Sequence, residues 1–317
     1  MRILLTGAAG FIGFHTSRTL LERGSTVLGY DNINNYYDPA VKESRLEVLR
    51  SFDRFSFVRG NLEDNETLSS AWKKFNPDHV LHLAAQAGVR YSIENPMAYI
   101  NSNIVGYQNI IDLVKKYRPN NFVYASSSSV YGGNKKLPFS EDQDVSNPIS
   151  LYAASKIANE LTAKCYGNLF EIPSTGLRFF TVYGPFSRPD MAMFKFAELM
   201  RKEQSIPVFN NGKMIRDFTY IEDIVAGISA ALAKPEINQV YNLGKGRPND
   251  LMEMIRLLEN HLGIKAKMDM LPMQAGDVEA TIADISKAHK NLGYEPKTDL
   301  AVGVAKFGSW YREYRKL

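Results

Sequence analysis

The sequence predicts an α/β chain, an open and doubly wound parallel sheet followed by a smaller mixed α/β domain. Three observations carry that expectation. A short apolar run, Arg2 to Thr6, enters a glycine-rich turn, Gly7-Ala8-Ala9-Gly10-Phe11-Ile12-Gly13, and then a helix from Phe14 to Arg23 that Gly24 stops. Short β-rich runs alternate with helical stretches from there to about residue 180, the pattern of strands joined by crossover helices. From Thr181 the elements become short and mixed, behind the proline and glycine punctuation of Thr181 to Met191.

The chain has 317 residues, enough for one large or two moderate domains with an ample core. A net charge of +4 is a small excess at this length, so neither a nucleic-acid nor a membrane partner is expected. Cys165 is the only cysteine, which excludes an internal disulfide and a cysteine-based metal cluster and suits a cytoplasmic, reducing home. The apolar start is too short for a signal peptide, and no run approaches the ~18 apolar residues of a membrane span.

The elements follow in order. Glycines between the first strand and helix let a pyrophosphate approach the backbone, and the helix N-terminus offers it free N–H groups. Ser25 to Tyr30 is a second strand ending in Asp31, eighteen residues after Gly13. An acid there can accept hydrogen bonds from an adenosine ribose and would repel a 2′-phosphate, so NAD is expected over NADP. After a tyrosine-bearing loop and a charged helix to Arg50, Phe55 to Val58 reads as the third strand, and Asn61-Leu62 falls where an adenine edge would lie. A helix from Glu63 to Phe75 leads to the fourth strand, Val80 to Ala85, whose nearly unbroken apolar character suits burial on both faces. Ala84 and Ala85 leave room for a flat cofactor, although plain packing explains them equally. His82 reads as a core histidine, since no second histidine or acid is spaced to share a metal, and no metal is expected.

Pro96 precedes a helical stretch to about Tyr117, with Ile100, Ile104, Tyr107, Ile110, Ile111 and Val114 near a 3.6 period. Asn121 to Ala125, the fifth strand, delivers Ser126-Ser127-Ser128-Ser129 to the sheet edge where ligands bind in open α/β folds. A second long helix, Ser150 to about Leu169, carries Tyr152 and Lys156 one turn apart. A lysine ammonium beside a phenol stabilises the phenolate, as a base working near neutral pH requires. That spacing alone is weak. Pro173 to Phe180 is the sixth strand, and a strand near 239–244 is expected to return to the sheet. Residues 1–180 are therefore expected to form the dinucleotide-binding domain, and 181–317 mainly the second domain.

Together, the turn from Gly7 to Gly13, Asp31, Ser127 placed 25 residues before Tyr152, Lys156, and Arg216-Asp217-Phe218-Thr219-Tyr220-Ile221 resemble the extended short-chain dehydrogenase/reductase family, specifically its nucleotide-sugar epimerases and dehydratases. The resemblance implies a Rossmann-type fold and a tightly bound, catalytically regenerated NAD. Tyr152 would be the base, Lys156 would hold the nicotinamide ribose and depress the tyrosine pKa, and Ser127 would hydrogen-bond the reacting oxygen. Gly7, Gly10, Phe11, Ile12 and Gly13 would cradle the cofactor, with Asp31, Asn32, Asn61 and Leu62 at its adenosine end. Leu83, Ala84, Ala85 and Asn103 would complete its site. Arg216 would clamp a substrate diphosphate, and Asp277 would touch its uridine ribose. Asn61 departs from the aspartate common in the family, and Gln274 from an arginine usual in galactose epimerases.

Dehydratases place an Asp-Glu pair after the catalytic serine or threonine; this chain has Ser128-Ser129, so elimination lacks an evident general acid. Instead the segments Asp31 to Tyr37, Ala87-Gly88-Val89-Arg90-Tyr91-Ser92 and Phe179 to Ala192 are similar to the UDP-glucuronate 4-epimerase branch. The implied reaction oxidises C4 as Tyr152 takes the hydroxyl proton, then returns hydride to the other face of a rotated 4-keto sugar. Such a β-keto acid loses CO₂ readily, and Ser129, Thr181 and Arg188 would hold its carboxylate out of alignment, with Arg90 and Ser128 as further substrate contacts. Pairing of Arg188 with Asp190 is the competing explanation of that arginine. UDP-hexose or N-acetylhexosamine epimerisation, UDP-glucuronate decarboxylation and a non-catalytic nucleotide-sensing module are the alternatives. The helices at 97–117 and 150–169 resemble a pair that forms a four-helix homodimer interface, although packing on the sheet would also account for their apolar positions.

Overall fold

A computed structural model describes residues 1–274 and 277–316. Its centre is a seven-stranded, wholly parallel sheet. Six strands come in chain order from the first 180 residues: β1 (Arg2–Thr6), β2 (Thr26–Asp31), β3 (Phe55–Arg59), β4 (His79–His82), β5 (Asn121–Ser127) and β6 (Ser174–Phe179). The spatial order runs Gln239–Leu243, β6, β5, β4, β1, β2, β3. Because β1 has β2 on one side and β4 on the other, the winding reverses there, and a crevice opens beyond the carboxyl ends of β1 and β4.

Alternation of side chains explains the unbroken apolar runs. Ile3, Leu5, Val27, Leu81, Val123 and Leu177 face one layer with Phe14, Ile224 and Ile228. Leu4, Leu28, Val80, Phe122 and Tyr124 face the other, against Leu68, Trp72, Ile110 and Val114. With both faces covered, no polar alternation is needed. His82 is buried in this sheet, its Nδ1 2.7 Å from Thr6 Oγ1, and burial lowers its pKa to about 3.

Several local features differ from expectation; the fourth strand, expected to Ala85, ends at His82. The first helix spans Phe11–Glu22 and so begins inside the glycine run, with Gly10 as its extended N-cap. Glycine is a poor helix former, so sequence placed the whole run in the turn. The helical stretch after Pro96 continues to Tyr117 but contains a π-helical turn, Ile100–Val105. The second long helix, Leu151–Phe170, starts where the Ser150 hydroxyl accepts from Ala153 N at 3.1 Å. That cap fixes Tyr152 in the first turn and Lys156 in the second.

The chain crosses between the two parts repeatedly. Helix Ile221–Ala233 packs on Phe11–Glu22 and β5, and Gln239–Leu243 pairs in parallel with β6. The smaller part contains three two-stranded pairings: Thr181–Tyr183 with Phe218–Tyr220, Ile206–Val208 with Met268–Met270, and Ile215–Arg216 with Asn249–Asp250. Helices Ala192–Arg201, Leu251–Leu262 and Leu300–Arg315 pack around them. Among the described residues no helix is long and apolar enough to cross a membrane.

Candidate active site

A cleft of about 790 Å³ runs along the carboxyl edge of the sheet and under the smaller part. At one end Gly7, with φ +76°, turns the chain out of β1, and Gly10 N donates to Gly7 O at 2.9 Å. A Cβ on Gly13 would lie 2.0 Å from Gly7 O, and one on Gly7 would lie 2.7 Å from Ala84 N. Neither backbone can give way. The bare, closely packed turn therefore fits a dinucleotide pyrophosphate. Gly13→Ala should cost about 1–3 kcal/mol of stability by overpacking and empty the protein of copurifying NAD, measured by melting and by the NAD content of the purified protein.

Asp31 stands beside this turn. Its two carboxylate oxygens accept from Ala9 N at 3.1 Å and Ile33 N at 2.8 Å, which aims the group and leaves acceptor capacity for a ribose. Phe11, Ile12, Asn32, Leu62, Leu83, Ala84 and Ala85 also line the cleft. Asn61 and Asn103 stand outside this lining. Asn61 Oδ1 accepts from Asn32 Nδ2 at 3.0 Å, so its amide braces the neighbouring asparagine. Asn103 is buried; its Oδ1 accepts from Gln86 N at 2.7 Å, and its Nδ2 donates to Gln86 O and Ser155 Oγ, both at 3.0 Å. Its side chain ties the π-helical turn to the strand-end loop and the Tyr152 helix.

The centre of the cleft holds Ser127, Tyr152 and Lys156. Burial raises the Tyr152 pKa, opposed by the Ser127 hydroxyl and by the Arg188 charge. Lys156 is 2% exposed, and its Nζ donates to Ala125 O at 2.8 Å. Burial lowers its pKa to about 8 against the nearby Glu160. Burial is the largest influence on the phenol, and the lysine ammonium is turned to the strand-end carbonyl of Ala125. Ser129 N donates to Ser127 Oγ at 3.1 Å, orienting that hydroxyl, and the Ser129 hydroxyl is 3.2 Å from it.

Thr181 and Arg188 enter from the smaller part. Arg188 Nε donates to Asp190 Oδ1 at 3.0 Å, and Nη2 to Oδ2, while Tyr36 Oη donates to Oδ2 at 3.2 Å. Both explanations offered for Arg188 therefore meet in one place, since it lines the cleft and pairs with Asp190 there. At the far end Arg90 Nη2 donates to Asp277 Oδ2 at 2.9 Å, and its guanidinium lies over the Phe209 ring at 5.0 Å. Arg216 donates through Nη1 to Ile215 O and Glu279 O, and burial lowers its pKa. Ser128 also lines the wall.

Tyr36, Lys42, Gln86, Asp190 and Phe209 were not singled out from sequence, yet all face the cleft. Tyr36 lies within the quoted stretch Asp31 to Tyr37, and Asp190 was named only as a partner for Arg188. Gln86, Lys42 and Phe209 carry no spacing signal, because each reaches the cleft through loop or helix packing. Among the described residues no cluster of histidine, cysteine or acids could hold a metal.

A glycine cradle at the switch point of a parallel sheet, followed by an acid and joined to a Ser-Tyr-Lys cluster, defines a nucleotide-cofactor enzyme of the short-chain dehydrogenase type. The chain belongs to the NAD dependent epimerase/dehydratase family, whose model matches residues 3–244. It is 46% identical to UDP-glucuronate 4-epimerase 4 of Arabidopsis thaliana, over 98% of this chain and 75% of that protein. It superposes on the UDP-glucuronic acid 4-epimerase of Bacillus cereus, solved with UDP-glucuronic acid and NAD, with a TM-score of 0.93 and 35% identity, covering 99% of this chain and 100% of that one. The UDP-glucose 4-epimerase of Thermotoga maritima, solved with UDP-glucose, matches at TM-score 0.91 and 30% identity over 99% and 100% of the two chains.

Proposed function

We propose that this chain inverts C4 of UDP-glucuronate to give UDP-galacturonate. The observation that carries the reading is the Ser127-Tyr152-Lys156 centre, flanked by Ser128-Ser129 in place of an acid pair and faced by Thr181 and Arg188. The turn Gly7 to Gly13 and Asp31 hold NAD, with Leu83 to Ala85 against its ring system. Asn61, beside Asn32, accepts from the cofactor's adenine edge, and Asn103, bonded to the Tyr152 helix, helps fix the cofactor. Bound NAD supplies a hydride acceptor and donor at C4. Tyr152 takes the 4-hydroxyl proton and returns one to the inverted oxygen, and Ser127 holds that oxygen by a hydrogen bond. Lys156 supplies positive charge beside the phenol. Arg90, Arg216 and Asp277 grip the uridine diphosphate, leaving the sugar free to present either face. Arg188, through the Nη1 amine outside its Asp190 pair, meets the sugar carboxylate together with the Thr181 and Ser129 hydroxyls.

Offered UDP-glucuronate, UDP-glucose and UDP-N-acetylglucosamine separately, the protein is expected to invert the first, with products identified by NMR. Faster turnover of a neutral sugar would reject the uronate assignment. Tyr152 with its intact partners argues against a non-catalytic module.

The same helices support a homodimer. Leu161 and Leu169, two turns apart on Leu151–Phe170, are 63% and 67% exposed, and Val105 is 42% exposed. Sedimentation at the mass of a single chain would remove that part of the reading.

A further inference from the structure

Behind the Tyr152 and Lys156 face, outside the cleft, lies a buried ion pair that the proposed chemistry does not use. Glu160 sits one turn beyond Lys156, at the spacing that separates Lys156 from Tyr152. Arg178 on β6 donates to it twice, Nε to Oε1 at 2.9 Å and Nη2 to Oε2 at 2.7 Å, with side chains only 5% and 9% exposed for the arginine and the acid. Ser126 Oγ donates to the same carboxylate. Arg178 Nη1 donates to Tyr131 Oη at 3.0 Å, and that hydroxyl donates to Asn242 Oδ1 at 2.6 Å. Ser126 stands between Ala125, whose carbonyl receives the Lys156 ammonium, and Ser127.

We propose that Glu160 is a positioning residue: its carboxylate, held by Arg178 and Ser126, keeps the Lys156 ammonium charged and seated on the Ala125 carbonyl, and so sets how much Tyr152 is available as phenolate. The proposal rests on Tyr152 being the base of the proposed function.

Its physical basis is the poverty of anions around this lysine. From β4, His82 faces the group and is held neutral by burial and by the lysine charge. Tyr124 of β5 and Tyr107 of helix Gly106–Tyr117 are pushed far above the ordinary phenol range by burial, and Tyr131 to about 12, so all three are neutral. Tyr152, on the lysine's own helix, is raised by burial. Arg178 on β6 is a permanent cation. Among the described residues acting on Lys156, Glu160 is the anion.

The consequence concerns a shared proton. Loss of one proton from the Tyr152–Lys156 pair gives either a phenolate with an ammonium or a phenol with a neutral amine, and the ratio of these forms does not depend on pH. Weakening the ammonium favours the inactive form. The signature is a lower kcat plateau.

The test uses the full chain with bound NAD. Glu160→Gln with Arg178→Met removes both charges, keeps an acceptor for Ser126 and avoids a buried unpaired cation, a replacement that folds commonly tolerate. The Lys156 titration, followed by NMR of its side chain and assigned by its loss in Lys156→Met, is expected to fall by ~1 pH unit, and the kcat plateau by the matching ~10-fold. KM for UDP-glucuronate should change less than about twofold, since Glu160 lies outside the cleft. A folded variant with an unmoved Lys156 titration overturns the proposal, whatever happens to kcat. Should that variant not fold, Arg178→Gln leaves the carboxylate uncompensated and must raise the same titration; a failure to rise overturns the proposal. Inversion of C4 by the wild type tests the epimerase reading separately, because the Lys156 titration needs no turnover.

Discussion

Tyr152→Phe should lower kcat for UDP-glucuronate by about 10²- to 10⁴-fold, the range of a positioned general base, with the fold and the retained NAD unchanged. The substitution removes one oxygen from a ring that faces the cleft and packs edge-on against Tyr99 at 6.1 Å, so packing survives. The loss is large because the site has already spent structure on that oxygen. Burial holds the phenol above its ordinary value, and the Ser127 hydroxyl and the Arg188 charge pull it back. The neighbouring groups are engaged: Ser129 N donates to Ser127 Oγ, and Lys156 Nζ donates to Ala125 O. Steady-state rates with NAD content measured on the same sample check the result, and turnover at the wild-type rate would remove Tyr152 from the chemistry.

Arg188→Met is expected to lower kcat/KM for UDP-glucuronate by about 10- to 100-fold, the worth of a charge-assisted hydrogen bond to a buried carboxylate, and to release CO₂ with a UDP-pentose. UDP-glucose, lacking the carboxylate, should be affected far less. Loss of Arg188 also strands Asp190, whose carboxyl is kept below the ordinary range by that arginine against the opposing effect of burial. Asp190→Asn combined with Arg188→Met removes the stranded anion. If the double variant still decarboxylates, the arginine guards the carboxylate; if decarboxylation disappears, stray negative charge in the single variant caused it. Thr181→Val should give the milder form of the same leak. Unchanged epimerisation without CO₂ in all three variants would reject the carboxylate-holding role.

The parts of the site legible from sequence are those where chemistry and local backbone coincide. A Cβ on Gly13, Gly7 or Gly10 would lie 2.0, 2.7 or 3.0 Å from the nearest backbone atom, so the placement of these glycines after a strand reveals the cradle. Asp31 ends a strand, and strand ends are readable. Tyr152 and Lys156 share a helix face whose start is set by the Ser150 cap. Asn61 and Asn103 are expected at the cofactor from their positions; the structure adds that Asn61 Oδ1 accepts from Asn32 and that the Asn103 amide bonds Gln86 and Ser155. Sequence position locates a side chain; it does not say which neighbour arrives first.

By itself the sequence determined the parallel sheet, through strands apolar on both faces, and the dinucleotide cradle, through glycines that no other residue can replace. It also determined the branch of chemistry, through Ser128 and Ser129 standing where an elimination would need acids. Tertiary structure alone decided the electrostatics. Burial of Glu160 against Arg178 and the turn of Lys156 toward Ala125 join residues 18 and 31 positions apart. Charge strength depends on burial and on partners within a few ångströms, and neither is written in the order of residues along the chain. Tyr152 was legible as the candidate base only in company with Ser127, Lys156 and the glycine turn; the burial that raises its pKa came only when the chain closed around it.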